Sequence, residues 1–153
     1  MKILTFSDSH GSKNIMLDVV QAESPGLILH LGDNINDCAV IYTEYPEIPL
    51  RSVRGNNDFR SAGLDMDEFV LEGKRFFMTH GHLFNVKTGK AHLVSSALNR
   101  GVDVLLFGHT HIPYYAVLDD LTVINPGSVG YAQNQYAILE FKNGEMLCEL
   151  KRF

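Results

Sequence analysis

The chain has 153 residues, 45% of them hydrophobic and 20% charged, with a formal net charge of -5. That length suits one domain over 1–153 with a single core, and the composition excludes a disordered or fibrous chain. The acidic balance argues against an extended nucleic-acid track, and the apolar runs are too short for a membrane span or a signal sequence, so a soluble, cytoplasmic protein is expected.

Lys2 to Ser7 is an apolar run ending in polar loop residues, which predicts a buried strand. Asn14 to Ala22 carries Ile15, Met16, Val19 and Val20 at helical spacing, and Ser24-Pro25-Gly26 stops that helix. Leu27 to Leu31 is a second strand, Asp37 to Tyr45 a short helix, and Leu50 to Val53 a third strand. Glu68 to Leu71 and Arg75 to Thr79 flank a tight turn and predict a hairpin. Thr88 to Arg100 reads as a helix with Ala91, Val94, Ala97 and Leu98 on one face, and Val102 to Phe107 as another buried strand. Tyr114 to Leu118 and Leu121 to Ile124 flank Asp119-Asp120, and Tyr136 to Phe141 and Met146 to Leu150 flank Asn143-Gly144, a strong hairpin signal. Strand–helix alternation followed by hairpins predicts an α/β domain, a layered α-β-β-α sandwich of two mixed sheets packed face to face with helices outside.

Polar residues fall where the buried strands end. The loops are Asp8-Ser9-His10-Gly11, Gly32-Asp33-Asn34, Gly55-Asn56-Asn57-Asp58, His80-Gly81-His82 and Gly108-His109-Thr110-His111. Ligands of open α/β sheets bind outside the carboxyl ends of the strands, so five such loops can converge on one site. Each motif alone is weak. Their combination is a set of carboxylates, imidazoles and an amide with no cysteine, which suits a first-row divalent ion. There are more such residues than one ion needs, which points to two. Cys38 and Cys148 are far apart in the sequence, in no metal-binding spacing, and read as free thiols.

In their order and spacing, Asp8-x-His10, Gly32-Asp33, Gly55-Asn56-x-Asp58, His80 and Gly108-His109-x-His111 resemble the calcineurin-like metallophosphoesterases. The small size, the Asn125-Pro126-Gly127-Ser128 loop and the terminal hairpin are similar to the short prokaryotic phosphodiesterase branch. The resemblance implies two divalent ions, manganese foremost with nickel, iron or zinc as alternatives. It places Asp8, His10 and His111 on one ion and Asn56, His80 and His109 on the other, with Asp33 bridging. It further implies hydrolysis of a small phosphodiester by metal-activated hydroxide, with Asp33, Asn56 and His109 at the catalytic centre. Alternate residues of extended Asp8-x-His10 and His109-x-His111 segments would point the same way, towards the ions.

The chain departs from the family pattern at one position. The third motif usually reads Gly-Asn-His, but Asn57 replaces the histidine thought to contact phosphate and protonate the leaving group. Asn57 offers a hydrogen bond and no proton near neutral pH, which favours diesters over monoesters and leaves Asp58 without its usual partner. Asn56, Asn57 and His82 are the expected substrate contacts. His30 reads as a packed histidine, His92 as a surface one, and Arg51, Arg54 and Arg60 as a solvated cluster with phosphate anchoring as the alternative. Two other functions compete: a non-catalytic binding scaffold like the retromer subunit of this fold, and a phosphomonoesterase. Leu147, Leu150 and Phe153 on the terminal hairpin are candidates for a homo-oligomer contact.

Overall fold

Three apolar runs separated by helices form the parallel centre of one sheet. In the computed structural model, which describes residues 1–153, they are β1 (Lys2–Phe6), β2 (Leu27–His30) and β3 (Leu50–Ser52). Between them run α1 (Lys13–Glu23) and α2 (Ala39–Glu44), the latter preceded by a 3-10 turn at Ile35–Cys38. The second sheet is built from β4 (Met66–Leu71), β5 (Lys74–Thr79), β6 (Val104–Leu106), β7 (Tyr114–Leu118) and β8 (Leu121–Asn125), with α3 (Ala91–Arg100) joining β5 to β6. The chain then returns to the first sheet as the hairpin β9 (Gln135–Lys142) and β10 (Glu145–Arg152). The orders are β10-β9-β1-β2-β3 and β4-β5-β6-β8-β7. The second sheet has a parallel centre flanked by antiparallel strands, and the first has parallel β1, β2 and β3 reaching one edge with antiparallel β9 and then β10 on the other side, so both are mixed, as the sequence predicts.

The pleat divides the core into three layers. Ile3, Leu29, Phe76, Met78, Val104 and Leu106 meet between the sheets. Their strand neighbours Leu4 and Ile28 turn outward against Met16, Val19 and Val20 of α1, and Phe77 and Leu105 against Leu93 and Ala97 of α3. Central strands buried on both faces must be apolar at consecutive positions, which is why they read as unbroken runs rather than alternations. The terminal turn has Asn143 and Gly144 at φ 54° and 83°, the left-handed pair that a two-residue hairpin requires.

Two expectations shift. The helix predicted from Thr88 starts at Ala91, because Thr88 closes a turn on the Asn85 carbonyl through both its N–H and its hydroxyl, and Gly89 is a poor helix former. On the terminal hairpin, Leu147 and Phe153 are exposed, whereas Leu150 packs against the inter-sheet core. No helix is long and apolar enough to cross a membrane. Both cysteines are free thiols, Cys38 buried and Cys148 half-buried.

Backbone bonds tie the loops at the carboxyl ends of β1, β2, β3, β5, β6 and β8 to one another, within each sheet and, through the segment after β8, from the second sheet to the first. Asp8 N–H donates to the Gly32 carbonyl, Gly108 N–H to that of His80, and Val129 N–H to that of Ser7.

Candidate metal centre

Six titratable side chains meet where these strand ends converge. They fall into two groups, Asp8 with His10 and His111, and Asp33 with His80 and His109; candidate ligand atoms within a group lie within 4.8 Å of one another.

In the first group, Asp8 is fully buried at the end of β1. Its Oδ2 accepts from Ser7 Oγ at 2.5 Å and from the His109 N–H at 3.1 Å, which fixes the carboxylate. Oδ1 is left buried with no hydrogen-bond partner, and so is His10 Nε2, 3.9 Å from it. His111 Nε2 approaches Oδ1 to 3.0 Å without the alignment of a hydrogen bond. Burial pushes the Asp8 carboxyl up to about 7, with the Asp33 charge adding to the rise and the Ser7 and His109 hydrogen bonds opposing it.

In the second group, the Leu31 carbonyl can only accept, so His80 donates to it from Nδ1, at 2.8 Å. This tautomer leaves Nε2 facing the centre, 3.1 Å from His109 Nδ1. Burial pulls His80 down to about 3 and His109 to about 4, the Lys87 ammonium also acting on His109. His111 is lowered by the same two causes in the same order. These imidazoles are therefore neutral at ordinary pH, the form in which a ring nitrogen binds metal.

Asp33 stands between the groups. Its Oδ2 lies 3.8 Å from His10 Nε2 and its Oδ1 3.5 Å from His80 Nε2. Asn57 holds both oxygens, its N–H on Oδ1 at 2.9 Å and its Nδ2 on Oδ2 at 2.7 Å. A buried carboxylate oxygen and a buried ring nitrogen without partners are costly unless a cation meets them. With two carboxylates and four imidazoles around them, the residues fit first-row divalent ions.

The ligand side chains converge differently from the pleat-based expectation. Asp8, His10, Asp33, His109 and His111 have φ of 54°, 44°, 62°, 67° and 57°. The segments are thus left-handed loops, not extended strand, and left-handed turns aim the side chains. Such backbone is costly for residues with a Cβ, and it persists where the surroundings enforce it. Two glycines permit the close approach: a Cβ at Gly55 would overlap Asp33 Oδ1, and one at Gly108 would overlap Ser7 Oγ.

Residues 1–144 match the calcineurin-like phosphoesterase superfamily domain. The chain belongs to that superfamily. It is 34% identical over 152 residues to the "Probable metallophosphoesterase YsnB" of Bacillus subtilis, covering 94% of this chain and 86% of that protein. It is 31% identical over 154 residues to the phosphodiesterase YfcE of Escherichia coli K12, covering 84% of this chain and 79% of that one. The fold is also that of the zinc complex of Vps29 from Entamoeba histolytica, with TM-score 0.75 at 17% identity over 99% of this chain and 98% of that one. As a calcineurin-like phosphoesterase close in length to short prokaryotic relatives, the protein is a metal-dependent hydrolase by family.

Within this family frame, the carboxylate and imidazole members of the expected ligand set, Asp8, His10, Asp33, His80, His109 and His111, are brought together. Asn56, the amide of the set, is exposed and donates to Asn57 Oδ1 at 3.4 Å. Asn57 instead reaches Asp33 with both its backbone and its side chain. His82 sits at the mouth, its ring 5.4 Å from that of His80, with Nδ1 buried and unpartnered. His30 is fully buried and accepts the Gly32 N–H on Nδ1, and burial lowers it to about 4. His92 is exposed beside Phe84. Arg51 and Arg54 pair with Asp67 and Asp65, and Arg60 lies over Phe59.

Asp58 keeps a structural role without the usual histidine partner. Its two oxygens accept the Ile35 and Gly55 N–H groups and brace the second loop against the third. Five ligand loops stand out in the sequence, and the Asn125-Pro126-Gly127-Ser128 loop after β8 joins them in the fold. There Asn125 Nδ2 donates to the Gly108 carbonyl and to Thr110 Oγ1, both at 3.0 Å. Ser128 Oγ donates to the Asp8 carbonyl at 2.9 Å. Beyond them Tyr131, largely exposed, sets its ring 4.5 Å from that of His10 and 5.6 Å from that of His111. The signal available in the sequence was the position of Asn125 at a strand end, as in the other five loops.

Proposed function

We propose that residues 1–153 act as one phosphodiesterase domain with two divalent ions, manganese being the first metal to test. Asp8, His10 and His111 would hold one ion, His80 and His109 with Asn56 the other, and Asp33 would be shared. The observation that carries this reading is the Asp33 carboxylate, which turns one oxygen towards each group. When bound, such a pair of ions supplies Lewis acidity at the phosphoryl oxygens and a hydroxide nucleophile at neutral pH.

The chain's own residues set the rest. Ser7 and the His109 N–H hold Asp8 so that one oxygen faces inward, and the Leu31 carbonyl fixes the His80 tautomer. Asn57 donates hydrogen bonds at the position where the family usually has histidine, and an amide has no proton to give a leaving group. This supports substrates whose leaving groups depart with little protonation, and diesters over monoesters. The relative YfcE of Escherichia coli is named as a phosphodiesterase, which supports the same reading.

The test compares bis(p-nitrophenyl) phosphate with p-nitrophenyl phosphate, with Mn, Ni, Fe and Zn in turn and bound metal measured. Diester turnover well above monoester turnover is expected. Background diester turnover by metal-saturated protein would overturn the proposal and leave the scaffold reading. The zinc complex of the Entamoeba histolytica Vps29 makes turnover, rather than metal binding, the deciding measurement.

A further inference from the structure

A cavity of about 430 Å³ lies beside the centre, walled by Lys87, Thr88, Lys90, Thr110, Ile112 and Tyr114 among others. Thr110 stands between His109 and His111 in the chain, so the cavity and the metal centre share the loop after β6. The opposite wall is the segment that leads into α3.

The charge of this cavity is at odds with that of the protein. The net charge is -5, and Lys2, Lys13, Lys142 and Lys151 are each paired with a carboxylate. Lys87 and Lys90, like Lys74, Arg60, Arg75 and Arg152, take no part in any ion pair, and of these six they alone line this cavity. The Lys90 ammonium is held 4.4 Å over the Tyr114 ring, a cation–π contact that keeps it at the wall. Lys87 shares the cavity wall with Thr110, the residue between His109 and His111. Two uncompensated ammonium groups beside a phosphoryl-transfer site form a local field that attracts anions. The cavity is large enough for a phosphate together with part of the group that carries it, and Ile112 and Tyr114 offer apolar surface to that group.

We infer that this cavity binds a second phosphate of the same substrate through Lys87 and Lys90, so that the preferred diester carries a further phosphate group. The inference rests on the diesterase reading only for the identity of the reacting group. Ammonium groups recognise any phosphate as point charges, so a phosphate joined to the diester must be told apart from free inorganic phosphate.

The probes are dithymidylate with and without a 5′-terminal phosphate, and inorganic phosphate. Binding to the metal-free protein is followed by the amide signals of Gly89 and Thr110, and KM is measured with saturating Mn. The 5′-phosphate is expected to tighten binding, and to lower KM, about tenfold. In the K87Q/K90Q double variant both ratios are expected to fall to within about twofold, while K142Q, which removes a distant lysine charge, keeps them. Equal affinity of the two dinucleotides in the wild type overturns the inference. So does a ratio that survives in K87Q/K90Q, or inorganic phosphate binding as tightly as the phosphorylated dinucleotide. A tenfold binding ratio that disappears in K87Q/K90Q, with no turnover of either dinucleotide, supports the cavity and removes the diesterase reading instead.

Discussion

The Asp33–His80–His109 group and the Asp8–His10–His111 group lie side by side, yet they handle their polar atoms in opposite ways. In the first, Asn57 occupies both carboxylate oxygens, the Leu31 carbonyl takes one nitrogen of His80, and His109 faces the other. In the second, Asp8 Oδ1 and His10 Nε2 are buried with nothing to bond. The first group is satisfied from within the chain, and a cation must displace those partners. The second is frustrated until a cation arrives, and the Asp8 carboxyl answers by rising to about 7 as burial disfavours its charge.

The largest expected effect tests whether the groups act together. Asp33→Ala removes the carboxylate that turns a different oxygen to each group. Turnover of bis(p-nitrophenyl) phosphate is expected to fall on the order of a thousandfold, several kcal/mol of transition-state stabilisation. Unchanged turnover would mean that the two groups work independently.

The second test uses stability with metal chelated. A carboxyl whose folded pKa lies above its ordinary value of 3.8 stabilises the fold fully only below that value, and the contribution is lost as pH rises through about 7. At pH 8 Asp8→Asn is therefore expected to stabilise the metal-free protein by up to about 4 kcal/mol, read from urea unfolding. Asp33→Asn is expected to give no such gain, because its oxygens already accept two hydrogen bonds from Asn57. Equal gains in both variants would erase the contrast between the groups.

A smaller effect is expected from Asn57→His, which exchanges the amide that engages Asp33 for an imidazole able to carry a proton near neutral pH. A gain of about a hundredfold in p-nitrophenyl phosphate turnover is expected. No gain would show that the missing acid does not set the preference against monoesters, and that Asn57 matters chiefly as the partner of Asp33.

Much of this molecule was legible in the chain. Apolar runs such as Leu27–Leu31 declared buried strands, and Asn143-Gly144 declared its hairpin, because burial on two faces and left-handed turns each demand particular residue types. The ligand residues were legible because they sit at strand ends in a recognisable order. The helix start at Ala91 was not, since a turn competing for Thr88 leaves no mark on helical periodicity. Nor were the left-handed conformations at Asp8, His10 and His111, because residues with a Cβ avoid them unless distant contacts enforce them.

The sequence by itself determined the chemistry: an acidic, single-core α/β chain whose donors suit divalent ions, with Asn57 where a proton donor is usual. Tertiary structure decided which donors stand together, which atoms are left without partners, and where charge gathers. Asp33 meets His80 across two sheets, Asn57 takes hold of Asp33, and Lys87 and Lys90 line one cavity without a carboxylate partner. The composition argues against phosphate-rich partners for the chain as a whole, whereas one cavity gathers two lysines that no carboxylate pairs. Net charge is a sum over the chain, whereas the field that a ligand meets depends on which charges the fold leaves uncompensated nearby.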